Sequence, residues 1–198
     1  MRCCRVDIWT FHLDLPRPVV LTPDETVRAN RFIFEKDRVY WSHARSALRT
    51  TLALYLECAP EAVGFTCGAN GKPAVDQRFG MEFNISHSRD HAMIAVTRSV
   101  PVGIDLEVIR ESVDIAKLLR RVGETELQGS TTELFHRWTR REARTKAVGG
   151  QLMLMPEGDL QVTDLTAPEG FAASVALLGA RPEPHYRKSE AKNHPSPC

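Results

Sequence analysis

Apolar and polar residues alternate along three closely spaced segments in the middle of the chain: "EFNISH" (82–87), "HAMIAVT" (91–97) and "VGIDLEVI" (102–109). A period of two predicts strands. Their separators, "SRD" and "RSVP", are hairpin-sized. The expected arrangement is an antiparallel meander. A turn over 88–90 would pair Ser86 with Ala92, and a turn over 98–101 would pair Ala92 with Glu107. Asn84, Ile94 and Asp105 would form the next row on the same face, with the polar pairs roughly 10 Å from the carboxylates.

Upstream, "RVDIWTFHL" (5–13) alternates well enough for a first strand. In "TPDE" (22–25), Thr22 suits an N-cap, Pro23 the first helical position and Glu25 the third residue of a capping box. From there to Glu57 the period is helical, with a break near Asp37. Tyr40, Ala44, Ala47, Leu48, Leu52 and Tyr55 make an apolar face, and Arg38, Arg45 and Arg49 a basic one. "CGANGKP" (67–73) has the composition of a loop. Downstream, "DIAKLLRRV" (114–122) predicts a short amphipathic helix. "TELFHRWTRREARTKAV" (132–148) predicts a longer one, stopped by Gly149-Gly150, and "FAASVALL" (171–178) a last strand. From Arg181 the chain is polar and proline-containing, which predicts a flexible tail over 181–198. The element order is that of an α+β protein with two halves of similar size, 1–98 and 99–180, each a small antiparallel sheet on a long helix.

Composition narrows the function. A hydrophobic fraction of 42% in 198 residues supports a core. Lys plus Arg at 26 against Asp plus Glu at 25, a formal charge of +1, excludes a general nucleic-acid binder and a disordered chain. No apolar run approaches the ~18 residues that span a bilayer, and "MRCCRVDIW" lacks the apolar centre of a secretory signal. Cys3, Cys4, Cys58, Cys67 and Cys198 are odd in number and form no C-x-x-C pair. That pattern argues against a cysteine zinc site or a disulfide framework and for a reducing cytoplasm. His12, His43, His136, His185 and His194 sit in no pattern that suggests a role.

The chemistry gathers around acids. Asp105 and Glu107, two apart on a strand, point to one face. An isolated D-x-E is common on a wet strand face, and Glu142 with Lys146 is an ordinary i,i+4 helix pair. The stripe Leu134, Phe135, Trp138, Arg141, Glu142, Thr145 changes that picture. It begins apolar and ends charged on one helical face, as a helix lining a cleft does. Asp105, Glu107 and Glu142 together make a hard oxygen site suited to Mg²⁺. Lys146, Arg141 and Lys72 suit a phosphate-bearing substrate. The residues alone point to metal-assisted phosphoryl chemistry.

Taken in order, "GKP", "FNISHS", "VGIDLE" and "WTRREARTKAVGG" resemble the signature of the Sfp-type 4′-phosphopantetheinyl transferases. The resemblance implies a fold of two pseudo-two-fold-related α+β halves with coenzyme A in the cleft between them. The implied reaction moves the phosphopantetheine arm of coenzyme A onto a serine of an acyl or peptidyl carrier protein and releases adenosine 3′,5′-bisphosphate. It further implies Asp105, Glu107 and Glu142 as Mg²⁺ ligands, Glu142 as base toward the carrier serine and Lys146 on the pyrophosphate. Ser86 and His87 would bind coenzyme A phosphates, with Lys72 near the nucleotide. Arg28 and Arg31 would lie toward the 3′-phosphate. A monomer is implied, with an acidic helix of the carrier meeting either the stripe Arg38, Arg45, Arg49 or the basic "LLRRV" helix. Two departures stand out: Arg141 replaces the family's lysine in W-x-x-K-E, and the family's G-x-G-L reads Gly149-Gly150-Gln151-Leu152. The alternatives are another Mg²⁺-dependent phosphotransferase or phosphohydrolase acting without a carrier, and a weakly active protein that binds coenzyme A or a carrier domain.

Overall fold

The computed structural model describes residues 2–67, 72–150 and 158–188; Gly71 of "GKP", Gln151, Leu152 and the end of the expected tail lie outside them. The chain is α+β. Strand β1 (Cys3–His12) is followed by helices α1 (Pro23–Ala29) and α2 (Glu35–Leu56), then by the two-residue strands β2 (Thr66–Cys67) and β3 (Pro73–Ala74). Next come β4 (Met81–Ser88), β5 (His91–Arg98) and β6 (Val102–Val108), helices α3 (Ile115–Arg121) and α4 (Thr131–Ala147), and strands β7 (Leu160–Asp164), β8 (Phe171–Leu178) and β9 (Arg181–Arg187). Among the described residues no helix is long and apolar enough to cross a membrane.

Two main sheets form, ordered β4-β5-β1-β9 and β6-β8-β7. They are the middle layers of a helix–sheet–sheet–helix stack. Tyr40, Ala44, Leu48 and Leu52 of α2 pack on Phe11, Ile94 and Val96 of the first sheet. The other face of that sheet, with Val6, Ile8, Met93 and Ala95, meets Ile104, Leu106, Val175 and Leu177 of the second. The far face of the second sheet takes α4, through Leu134 and Phe135 on Ala172 and through Ala143 and Ala147 on Ala176. Both inner strands β5 and β8 are covered on both sides, which explains their nearly continuous apolar runs.

Three expectations are corrected. The β4–β5 hairpin closes over two residues, with Arg89 at φ 48°, so Ser86 faces Met93 and His87 faces Ala92. The register is one residue off the expected one, which exchanges the faces. Strand β6 does not extend the hairpin into a meander. It pairs with β8, Asp105 opposite Ser174, with its apolar residues Val102, Ile104 and Leu106 packed on the first sheet and its other face against α4. The expected tail also begins with a strand: β9 adds parallel to β1, Val6 beside Pro184. Pro182 and Pro184 are tolerated because β9 is an edge strand. The first sheet is therefore mixed rather than antiparallel, and a C-terminal segment completes it.

The helical stretch breaks at residues 30–34, earlier than near Asp37. The Thr22–Glu25 capping box forms as expected. Glu25 also receives Arg49 Nε at 2.7 Å and Nη2 at 3.0 Å, and Arg45 Nε. Burial alone would raise this carboxyl. The Arg49 hydrogen bond, the Thr22 amide and Arg45 outweigh it and hold Glu25 at about 2. A depressed folded-state value stabilises fully above the unfolded carboxylate value near 4.5 and fades as pH falls toward about 2. Glu25→Gln is expected to cost about 2–4 kcal/mol at pH 7, the low end reflecting solvent reaching the pair. Urea unfolding from pH 7 to 3 should show a flatter acid loss for the variant than for the parent.

Candidate functional site

The site forms where β4, the edge of the first sheet, runs beside β6, the edge of the second. The two strands are joined by side chains, not by a backbone ladder. Positions two apart on β4 reach across in turn. Asn84 Oδ1 accepts from the Ile104 amide at 2.9 Å, Ser86 Oγ donates to Asp105 Oδ1 at 3.0 Å, and Ser88 Oγ donates to Glu107 Oε2 at 3.0 Å. Ser88 also accepts from the Val108 amide at 3.2 Å. The polar side chains of β4 thus touch the carboxylates directly, in place of the expected gap. Ser88 escaped the sequence reading, although its spacing from Asn84 and Ser86 is the signal that could have found it.

Helix α4 covers the other side of β6. Gly103, Asp105 and Glu107 share the face of β6 that meets it, and Gly103 is the reason they meet so closely. A Cβ there would stand 2.1 Å from the Ala143 carbonyl oxygen and 2.3 Å from the Ala147 amide nitrogen. With the helix seated on the strand, Lys146 Nζ donates to Asp105 Oδ1 at 2.6 Å and to Ser86 Oγ at 3.2 Å. Thr139 and Ser174 fix the helix from beneath, their hydroxyls 2.9 Å apart and buried.

Asp105 is 2% exposed, and its Oδ2 is buried without a hydrogen-bond partner among the described residues. Burial and the Asp105 charge together raise the Glu107 carboxyl. They raise the Glu142 carboxyl as well, with Glu107 adding to the effect. The helical acid therefore sits within the field of the strand pair, and one ammonium serves three carboxyls. His87 has an exposed edge, yet crowding of its ring and the Lys146 charge push its imidazole below the ordinary value. The donor types of these acids, all oxygen, with a buried carboxylate oxygen that lacks a partner among the described residues, fit a hard divalent cation.

The other candidates lie elsewhere. Lys72 donates to the Val102 carbonyl at the start of β6 at 3.0 Å, and burial lowers its ammonium. Arg141 is 2% exposed and directs Nη1 to Glu124 at 3.3 Å, and Glu142 feels its charge. Arg28 ends the separate short helix α1, and Arg31 follows it in the link to α2. With Asp24 and Phe32 they line a surface hollow of about 430 Å³. Trp138 packs with the apolar cluster between α3 and α4.

Comparison with known proteins finds relatives of one kind. The family model described as 4′-phosphopantetheinyl transferase, N-terminal, matches residues 16–99. The chain is 35% identical over 215 aligned positions to the 4′-phosphopantetheinyl transferase HetI of a Nostoc species, covering 91% of each chain. It is 29% identical to the 4′-phosphopantetheinyl transferase of Bacillus subtilis, over 68% of this chain and 62% of that one. It is 34% identical to the 4′-phosphopantetheinyl transferase AcpT of Escherichia coli, over 57% of this chain and 59% of that one.

Proposed function

Given that the chain belongs to the 4′-phosphopantetheinyl transferase family and is an enzyme of that kind, we propose that it takes the arm from coenzyme A and places it on a serine of a carrier protein at the β4–β6–α4 junction. The observation that carries this reading is that Lys146 joins Asp105 and Ser86 while Glu107 and Glu142 lie within the field of Asp105. The three acids are the residues that would hold Mg²⁺. Bound there, the ion supplies charge neutralisation to a diphosphate.

The chain's own groups have separable tasks. Lys146 reaches the site from the helix and, with diphosphate present, places its ammonium where the leaving adenosine bisphosphate gathers charge. Ser86, buried beside Asp105 and Lys146, and a neutral His87, exposed next to it on the same strand, offer hydrogen bonds to the substrate phosphates. Glu142, its carboxyl raised by burial and by the strand acids, is suited to accept the proton of the attacking serine hydroxyl. Lys72 and the hollow at Arg28 and Arg31 give the nucleotide end cationic neighbours. Lys146→Ala is expected to lower kcat by about 10²-fold and to change the coenzyme A KM by less than about threefold. A loss confined to KM would remove the leaving-group role.

The carrier is expected at α3. Arg45 and Arg49 are committed to Glu25, and Arg38 pairs with Glu35, so the long-helix stripe presents little free charge. Lys117, Arg120 and Arg121 of α3 are exposed. The double change Arg120→Glu with Arg121→Glu should raise the carrier KM by about tenfold and leave the coenzyme A KM unchanged; steady-state kinetics with each substrate varied would check it. The activity itself is tested by incubating the chain with coenzyme A, Mg²⁺ and an apo carrier protein and weighing the carrier. A gain of one phosphopantetheine arm is expected, and an unmodified carrier beside consumed coenzyme A would point to a hydrolase instead.

A further inference from the structure

Away from the acids just described, three metal-ligating side chains meet at the end of the β4–β5 hairpin. His12 ends β1 and pairs across the ladder with His91, the first residue of β5, and Asp90 lies in the intervening turn. One ligand atom from each lies within 4.8 Å of the other two. His12 Nε2 is 3.5 Å from Asp90 Oδ2, and His91 Nδ1 is 3.1 Å from Asp90 Oδ1. All three residues are half-buried. The two imidazole rings stand 4.6 Å apart, and Phe171 packs edge-on against His91 at 4.8 Å. The turn is also tied down, since the Leu13 amide donates to the Asp90 carbonyl at 2.6 Å.

We propose that His12, Asp90 and His91 form a site for a divalent transition ion, Zn²⁺ foremost, with water in a fourth position. Ligand atoms of a tetrahedral zinc centre with bonds of about 2.1 Å are about 3.4 Å from one another. The two imidazoles stand 3.5 Å and 3.1 Å from different oxygens of Asp90, and the three ligand atoms, all within 4.8 Å of one another, would have to draw together around the ion. Two imidazoles and one carboxylate prefer Zn²⁺, Cu²⁺ or Ni²⁺ to Mg²⁺, whereas the all-oxygen trio of Asp105, Glu107 and Glu142 has the opposite preference. The two sites therefore sort ions by ligand type. Ser88, which holds Glu107, is the ladder partner of His91. An ion at the hairpin end would thus clasp β1 to β5 and the turn of the hairpin whose other strand, β4, supports the first site.

Two features limit the affinity. A ligated His12 Nε2 leaves the other ring nitrogen protonated, and Nδ1 is buried without an acceptor among the described residues. Lys36 also lies within the field of Asp90. Lacking outer-shell support costs a metal site roughly 10–100-fold, so micromolar binding is expected, not the tight binding of a structural zinc.

The test uses the tag-free full chain, reduced with a non-chelating phosphine, in excess Mg²⁺. Calorimetric titration with Zn²⁺ should show one saturable site of dissociation constant on the order of 1–10 µM. It should persist in Asp105→Ala and weaken at least about tenfold in His12→Gln and in His91→Gln. Those two glutamine variants should match the parent in metal-free melting temperature, and only the parent should melt higher on adding Zn²⁺. Co²⁺ substitution should give a tetrahedral spectrum without thiolate charge transfer. Absence of saturable binding would overturn the proposal. So would loss of binding in Asp105→Ala with retention in the histidine variants, or a thiolate spectrum from the cysteines.

Discussion

Asp105→Ala should reduce transfer to a carrier protein by at least about a thousandfold, about 4 kcal/mol of transition-state stabilisation, while the fold survives. Asp105 is where the site's interactions meet: its Oδ1 takes both the Ser86 hydroxyl and the Lys146 ammonium, and its Oδ2 has no partner among the described residues. Removing it would deprive the proposed ion of a ligand and release Lys146 from its position. It also withdraws a charge that raises Glu107 and Glu142, so both carboxyls ionise more readily. The relief of crowded like charge offsets the lost ion pair, which is why unfolding free energy should change little. The measurement is the rate of carrier modification at saturating coenzyme A and Mg²⁺, paired with thermal melting. Transfer at near the parental rate would remove Asp105 from the metal set, and an unfolded variant would remove the argument about offsetting charges.

Gly103→Ala should be the most damaging glycine-to-alanine change among the described residues. The new Cβ would meet the backbone of α4, at the Ala143 carbonyl oxygen and the Ala147 amide nitrogen, at little over 2 Å. Backbone cannot swing aside as a flexible side chain can, so the helix must lift. Overpacking of this kind costs about 1–3 kcal/mol. A displacement of about 1 Å at catalytic groups costs about 10²-fold in rate. Lys146 and Glu142 ride on the lifted turn, while Asp105 and Glu107 stay on the strand. The expected result is a folded protein that melts lower and transfers about 10²-fold more slowly. Parental melting and parental turnover together would show that the helix does not rest on Gly103.

The contrast between these two residues shows what kind of information lies where. The sequence alone was enough for elements whose cause is local. Period-two alternation marked β4, β5 and β6, and 3.6-residue spacing marked α2, α3 and α4, each within a few residues of its observed ends. The Thr22–Glu25 capping box was legible because both partners lie in one turn. The shared face of Asp105 and Glu107 was legible because strand geometry dictates it. The order of motifs around them was enough to point to the family that the comparisons support.

Only the tertiary structure decided who pairs with whom. Strand β6 leaves its neighbour β5 for β8, and β9 returns from the far end of the chain to lie on β1. These choices depend on covering both faces of each strand, a requirement that no local window contains. Arg45 and Arg49 read as a solvated stripe, yet Glu25, 20 and 24 residues away in sequence, draws them inward. Gly103 drew no reading of its own from the sequence, yet it is the seat of a helix that begins 28 residues later. Periodicity is a property of one segment and its backbone geometry. Pairing and burial are properties of the whole chain's competition to remove apolar surface from water and to give every enclosed charge a partner, and that competition is settled only when the chain has folded.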